Sequence, residues 1–207
     1  SGWVKLNSET ANQSVSIKIP ELKIKKNITT DAKGMAYFEI KTNPVLWTPE
    51  KPKLYDVTIG KADESIADKI GFRTIETKGK EILLNGKKVF LRGISIHEEA
   101  PFRSGRGWST EDAVTLLTWA KELGCNYVRL AHYPHNENMV REAEKMGLMI
   151  WSEVPVYWTI SWTNPDTYAN AERQLHDMIY RDKNRCGIVI WSIANETPHG
   201  DDRDIFL

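Results

Sequence analysis

The feature that most constrains the fold of this chain is a regular alternation of strand and helix patterns after about residue 88. Four apolar runs have the length of buried strands: Val89–Ile96, Tyr127–Leu130, Leu148–Trp151 and Ile188–Ile193. The segments between them carry apolar residues at helical spacing, and Gly124 and Gly147 follow two of these segments as helix stop signals. Strands that alternate with helices form parallel sheets, so we predict a parallel α/β unit.

The first part of the chain has a different, antiparallel character. Val15–Ile19 alternates strictly between apolar and polar residues, Ala36–Ile40 does so more loosely, and Leu54–Ile59 reads as another strand. Short strands at this spacing predict a small β-sandwich. Ser1–Asn12 carries little strand signal, so we expect the sandwich to lack its first strands. Asn85–Gly86 predicts a tight hairpin just before the α/β unit.

Composition excludes several classes of protein. Lys plus Arg and Asp plus Glu both count 28, so the chain has no overall field to attract nucleic acid or an anionic membrane. Apolar residues make up 41% and charged residues 27% of the 207 residues, which is typical of a soluble globular protein. We therefore expect a soluble protein with no membrane and no nucleic-acid partner. Its compartment is undetermined, and a homo-oligomer is compatible with this composition. Cys125 and Cys186 are expected to be buried free thiols.

Polar and aromatic residues follow all four predicted strands of the α/β unit. These endings are Ser95–Glu99, Arg129–His135, Ser152–Trp158 and Asn195–Glu196. The carboxyl ends of barrel strands are where active sites lie, so the endings predict one pocket. An open doubly wound sheet remains the alternative fold. We prefer the first half of a (β/α)8 barrel because every strand ends in such residues.

The most informative ending is Asn195–Glu196, directly after the apolar run Ile188–Ala194. An unpaired buried carboxylate costs several kcal/mol, so we expect Glu196 to point into a wet pocket. A glutamate there can protonate a glycosidic oxygen, and an adjacent amide can bind a sugar hydroxyl.

Two longer motifs resemble the signatures of glycoside hydrolase family 2, the β-galactosidase and β-glucuronidase family. Asn126–Pro134 resembles the first signature, and Asp182–Arg185 followed by Ile188–Glu196 resembles the second. Shorter segments match lesser landmarks of the family: Leu46–Glu50, Gly71–Arg73 and Phe90–Gly93. Cys186–Gly187 departs from the second signature. The resemblance covers nearly the whole chain after about residue 30.

The resemblance implies a retaining exo-β-glycosidase that acts on terminal β-D-glycosides in carbohydrate catabolism, and we expect no cofactor. We also expect no metal, because Val156–Trp158 stands where metal-dependent galactosidases of the family carry a carboxylate and a histidine ligand. A β-galactoside is the first expected substrate and a β-glucuronide the second. Glu196 matches the general acid/base and Asn195 the residue that binds the 2-hydroxyl group. The substrate-binding set is completed by pocket histidines, two arginines and a loop aromatic residue: His97, His132, Arg129, Arg92 and Trp158.

The resemblance also implies a domain arrangement: an immunoglobulin-like β-sandwich at residues 1–73, incomplete at its start, and the first half of a TIM barrel at residues 74–207. The nucleophilic glutamate would follow a later barrel strand beyond Leu207, so the chain alone is expected to be inactive. Two other functions stay open. One is a catalytically silent carbohydrate-binding scaffold, and the other is a zinc hydrolase using His132, His135 and Glu153.

Overall fold

The chain divides into two compact units. The computed structural model describes residues 1–61 and 64–207. One unit comprises Ser1–Leu46 with Lys53–Phe72, and the other comprises Trp47–Pro52 with Arg73–Leu207. Compared with the predicted boundary after residue 73, this division also places Arg73 and Trp47–Pro52 in the second unit. The buried Trp47 explains this placement, because its indole Nε1–H donates to the Glu144 carbonyl at 2.9 Å.

The first unit is built from antiparallel strands. They are β1 (Gly2–Lys5), β2 (Ser14–Ile19), β3 (Ile24–Thr29), β4 (Met35–Phe38), β5 (Tyr55–Gly60) and β6 (Ser65–Ile70). Within the described residues, β1 pairs with β4, and a second sheet has the order β3-β2-β5-β6. Buried side chains of both sheets, such as Ile17 and Ala36, share one core, as in a β-sandwich.

The weak strand signal of the first residues was misleading, because β1 forms along them. Its residues alternate between partly buried and exposed, and Gly2 to Lys5 pair with Phe38 to Met35 of β4. Strand β1 is stabilised by backbone hydrogen bonds to β4, and these cannot be read from the local sequence.

The second unit begins with a three-stranded antiparallel sheet. It contains β7 (Ile75–Lys78), β8 (Glu81–Leu84) and β9 (Lys87–Val89). Asn85 and Gly86 connect β8 to β9 with φ angles of 53° and 74°. Two consecutive positive φ angles are those of the tight turn that Asn-Gly favours, so the predicted hairpin is confirmed.

A parallel sheet with flanking helices forms the rest of the second unit. Its elements are β10 (Gly93–Ile96), α1 (Thr110–Glu122), β11 (Tyr127–Leu130), α2 (Glu137–Lys145), β12 (Met149–Glu153), α3 (Pro165–Asp182), β13 (Ile188–Ser192) and α4 (Asp201–Phe206). The sheet order is β10-β11-β12-β13, and every neighbouring pair is parallel. Consecutive strands are therefore added side by side, without the reversal of order that marks a doubly wound sheet. This arrangement is a partial parallel α/β barrel.

Local sequence signals define the helices. Ser109 caps α1 in a capping box, because its side chain accepts from the Asp112 amide while Asp112 accepts from the Ser109 amide. Asn136 and Asn164 cap α2 and α3 without a capping box. The Asn136 side chain accepts from the Asn138 amide, and the Asn164 side chain accepts from the Asp166 and Thr167 amides. The apolar faces of α1 and α2 cover one side of the sheet and form the main core with Val128, Leu130 and Ile150 among others.

Two further expectations have clear outcomes. Cys125 and Cys186 are both buried free thiols, as predicted. The position of Trp191 within the apolar run Ile188–Ile193 predicts a core residue, but it is exposed, because it alternates with the buried Ser192 along β13. None of the helices in the described part of the chain combines the length and apolar character needed to cross a bilayer.

Candidate active site

The register of the parallel sheet brings the four predicted strand endings to one edge. Ile96 is level with Leu130, Leu130 with Ser152, and Glu153 with Ser192. The residues that follow these positions therefore emerge side by side at the carboxyl edge of the sheet. His97, His132 and Asn195 are among them, as the sequence predicts.

The centre of this edge is an ion pair between Arg129 of β11 and Glu153 of β12. Arg129 Nε donates to Glu153 Oε2 at 3.0 Å, and its Nη2 lies 2.9 and 3.1 Å from the two carboxylate oxygens. The Glu153 side chain is only 1% exposed, and the guanidinium lies 4.5 Å above the Trp151 ring. A buried carboxylate held this closely by an arginine is fixed in position and has little freedom to act as a base.

Two predicted site residues bind this ion pair. His132 Nδ1 lies 2.6 Å from Glu153 Oε1, and the Asn195 Oδ1 atom accepts from Arg129 Nη2 at 2.6 Å. We refer to Arg129, Glu153, His132 and Asn195 as the polar cluster. Its members come from β11, β12 and the segments that follow β11 and β13, so the fold of the sheet assembles it.

Glu196 lies beside the polar cluster with different surroundings. It is exposed, and its Oε2 atom accepts from the Trp158 indole Nε1–H at 3.0 Å. Its φ angle is 50° and that of Trp158 is 56°, so both backbones are in the left-handed region. The Trp158 amide donates to the Asn195 carbonyl at 3.1 Å, and the Asn195 amide donates to the Val156 carbonyl at 2.8 Å. These backbone bonds hold the two segments together and place the carboxylate in solvent, where it can exchange protons.

Aromatic rings continue the edge towards β10. The His97 ring is exposed and meets the His132 ring edge-on, with 5.3 Å between centroids. The His132 ring is also 6.0 Å from that of Tyr157, which contacts Trp158. The surface therefore offers both hydrogen-bonding nitrogens and ring faces, the combination that sugar rings use.

Glu98 and His135 lie deeper, and neither is available to a ligand. Glu98 pairs with Arg106 and accepts from the Asn136 amide. His135 is buried, its Nε2 bonds the Ala131 carbonyl at 2.9 Å, and burial lowers its pKa to about 4. Their places in two of the polar strand endings make Glu98 and Glu153 candidates for sugar contacts. The burial of both carboxylates in ion pairs contradicts that interpretation.

Arg92 is the predicted site residue that the structure separates from the rest. It precedes β10, whereas His97 follows that strand, so the length of β10 lies between them. Four strand residues span about 13 Å. The bonds of Arg92 with Asn126 run through its backbone amide and carbonyl. We therefore leave Arg92 out of the candidate site.

The structure also bears on the zinc alternative. His132, His135 and Glu153 do not converge on a common point, since His135 faces the Ala131 carbonyl and Glu153 is saturated by Arg129 and His132. Within residues 1–61 and 64–207, no group of three or more His, Cys, Asp or Glu side chains is arranged to hold a metal ion.

Sequence reasoning missed two relationships in this site. The first is that Glu153 anchors the polar cluster, and the second is that Trp158 bonds Glu196. Glu153 follows a predicted strand by two residues and Glu196 follows another by three, so the sequence marks both positions. It does not tell which carboxylate meets the arginine, because that depends on which neighbouring strands pair.

Comparison with known proteins was made with this geometry in hand. The family model described as "Glycosyl hydrolases family 2, TIM barrel domain" matches residues 75–206, and that described as "Glycosyl hydrolases family 2" matches residues 3–73. The chain is 33% identical over 205 residues to a protein named "Putative beta-glucuronidase" from Formosa agariphila. It is 28% identical over 204 residues to a "Beta-galactosidase" from an Arthrobacter species.

Solved structures resemble the chain over nearly its full length. A β-galacturonidase from Eisenbergiella tayi, solved with bound galacturonate, matches with a TM-score of 0.76 and 29% identity, over 95% of this chain and 35% of that one. The alignments with the Formosa and Arthrobacter proteins cover 93% and 94% of this chain but only 24% and 20% of those proteins. The chain thus corresponds to a limited part of each relative.

Proposed function

Because the chain belongs to glycoside hydrolase family 2, we propose that the protein containing it is a retaining exo-β-glycosidase. In this proposal Glu196 is the general acid/base: it protonates the departing glycosidic oxygen and later activates the water that releases the sugar. The observation that carries the assignment is the contrast between two carboxylates at the same edge of the sheet. Glu153 is buried and paired, whereas Glu196 is exposed and bonded to one neutral indole.

The polar cluster and the nearby rings have complementary roles in the proposal. Asn195 binds the 2-hydroxyl group of the sugar, and His97 and His132 bind further hydroxyl groups. Arg129 orients Asn195 and supports the attacking carboxylate of the whole protein. Trp158 lines the sugar site and contacts the acid/base. The distances of 2.6 Å within the cluster support this assignment, since a site that acts on a transition state has to be held in advance.

The substrate class follows from the relatives only in part. β-Galactosides are our first proposal and β-glucuronides the second, and relatives of both names match the chain. We further propose that residues 1–73 form an immunoglobulin-like sandwich domain and that residues 74–207 form the first half of the barrel. A silent carbohydrate-binding scaffold is the competing function, and the exposure of Glu196 favours the enzyme.

The decisive experiment compares the full-length protein with its Glu196→Gln variant on a panel of aryl β-glycosides. The amide cannot donate a proton to the leaving oxygen, so kcat/KM should fall by about 100-fold or more for poor leaving groups. Activated aryl glycosides need little protonation and should lose far less. The anomer released first, followed by proton NMR, should retain the β configuration.

A matched control is Glu172→Gln, which removes an equally exposed carboxylate from α3. It should leave every substrate unchanged. An equal loss on all leaving groups in the Glu196 variant would contradict the acid role. Binding of sugars without any turnover by the wild-type protein would establish the scaffold instead.

A further inference from the structure

The hydrogen bonds within the polar cluster determine which atoms of Asn195 and His132 can donate to a ligand and which can accept from it. Glu153 is the residue on which this depends. A guanidinium carries only donors, so the Asn195 atom that meets Arg129 Nη2 at 2.6 Å has to be the amide oxygen. The Nδ2 group of Asn195 is thereby left as a pure donor. In the same way, Glu153 determines which ring nitrogen of His132 carries the proton.

Glu153 Oε1 is an acceptor that already receives Arg129 Nη2 at 3.1 Å. Its 2.6 Å contact with His132 Nδ1 therefore requires the proton to lie on that nitrogen. The 3.3 Å approach of Arg129 Nη2 to Nδ1 is then a contact between two donors and not a hydrogen bond. Because Arg129 already compensates the charge of Glu153, we infer that the ring is neutral, and a neutral imidazole protonated on Nδ1 presents a lone pair on Nε2. Within the described part of the chain, Nε2 bonds no other group, so its lone pair is left for a ligand.

We propose that Glu153 is a positioning residue that sets His132 as a hydrogen-bond acceptor and, through Arg129, sets Asn195 as a donor. One substrate hydroxyl donates to His132 Nε2, and a second accepts from Asn195 Nδ2. The ligand class is thus a polyol ring whose neighbouring hydroxyl groups meet opposite partners. This inference rests on the proposed function, because it assigns a direction to each hydrogen bond in the same sugar site.

The burial of Glu153 explains why it can fix the direction of the hydrogen bonds that His132 and Asn195 make. Its side chain is 1% exposed, so water does not compete for its oxygens, and Arg129 holds the carboxylate through both of its oxygens. His132, in contrast, is 28% exposed and reaches the surface. Carboxylates behind metal-bound histidines fix ring orientation and tautomer in the same way, and their loss typically costs about 10- to 100-fold in affinity or activity. We expect an effect of the same order here.

The test uses Glu153→Gln in the full-length protein. The amide can turn its NH₂ group towards Nδ1, which moves the imidazole proton to Nε2 and reverses the polarity offered to the sugar. We expect kcat/KM to fall by about 10- to 100-fold. We also expect the loss to shrink to a few-fold when His132→Ala is already present, because the two residues act through one contact.

The second readout does not depend on activity. Selective ¹⁵N labelling of histidine, with the His132 signals assigned from their absence in the His132→Ala variant, reports the tautomer directly. The wild-type protein should carry its proton on Nδ1, and Glu153→Gln should shift the proton to Nε2. A wild-type proton on Nε2, or an unchanged tautomer in the variant, overturns the proposal. If Glu153→Gln does not fold, the wild-type spectrum still tests the proposal, because a proton on Nε2 of His132 would contradict it.

Glu144→Gln is the matched control. Glu144 is also 1% exposed and pairs with the buried Arg185 at 2.8 Å, but it lies on α2 and contacts neither His132 nor Asn195. Its loss should lower stability without changing the His132 tautomer; an equal tautomer change would mean that any loss of a buried ion pair produces the effect. Absence of glycosidase activity in the wild-type protein would refute the proposed function while leaving the NMR result valid.

Discussion

At the scale of single residues, Glu196 and Trp158 stand out because both hold left-handed backbone conformations without being glycine. Their φ angles are 50° and 56°, and such conformations cost about 1 kcal/mol or more per residue. Such conformations persist where surrounding hydrogen bonds hold the backbone in place. Here the Trp158–Asn195 and Asn195–Val156 backbone hydrogen bonds do so. The result aims an indole N–H at the carboxylate that we assign as the acid/base.

Trp158→Phe separates this hydrogen bond from simple stacking. Phenylalanine keeps a ring for sugar contact but has no donor for Glu196. We expect kcat for poor leaving groups to fall by about tenfold, the cost of one hydrogen bond to a charged group, with little change in KM. Trp119→Phe, at an exposed tryptophan on α1, should have no such effect. Wild-type kcat in the Trp158 variant would reduce its role to stacking alone.

The sequence identifies residues of this site better than it identifies their partners. His132, Arg129 and Asn195 were predicted as pocket residues and do lie together, and the site that they form remains a proposal. Glu153 was missed as the anchor, because an isolated carboxylate at a strand end has the same appearance whether it is paired or free. Only the register of β11 against β12, which sets Arg129 beside Trp151 and Glu153 nearby, distinguishes them.

At the scale of elements, periodicity predicted most of the second unit. Helices α1, α2 and α3 lie between the predicted strands, and β11, β12 and β13 largely coincide with the apolar runs. The run Val89–Ile96 is divided instead, because Val89 ends the hairpin strand β9 and β10 begins only at Gly93. The elements that were missed are those that tertiary pairing stabilises. Strand β6, for example, is mostly exposed and is held by its antiparallel ladder with β5, so its side chains show no buried face.

The cap of α1 gives a quantitative expectation at this scale. Ser109→Ala removes the acceptor for the Asp112 amide and should cost about 1 kcal/mol, or roughly fivefold faster opening of the first turn. Hydrogen exchange of peptides covering Thr110–Glu122 measures this opening. Ser104→Ala, at an exposed loop position, is the comparison and should leave exchange unchanged. Equal exchange in both variants would show that the capping box adds no stability.

At the scale of the whole molecule, the parallel sheet determines what the chain can do without further segments. A retaining mechanism needs two carboxylates about 5–5.5 Å apart, one of them free to attack. The carboxylate of the polar cluster cannot take that role, because Glu153 is bonded to Arg129 and His132. The nucleophile of a retaining mechanism would therefore have to lie outside the polar cluster.

A chain of residues 1–207 purified alone should accordingly hydrolyse no β-glycoside, whereas the proposed function predicts hydrolysis by the full-length protein. Aryl glycosides with activated leaving groups are the most sensitive assay, because they need the least help from Glu196. The folded state of the isolated chain should be verified by circular dichroism in the same preparation. Turnover that co-purifies with the folded 207-residue chain would overturn this expectation and place the nucleophile within these residues.

The connection between β10 and α1 has a consequence for how ligands arrive. Arg106 pairs with Glu98 at its start, and Arg103 pairs with Asp112, which is also part of the α1 cap. A loop that ion pairs already hold at both ends loses little conformational entropy when a ligand binds. If the proposed function holds, this connection should keep the same conformation in the free and the sugar-bound protein.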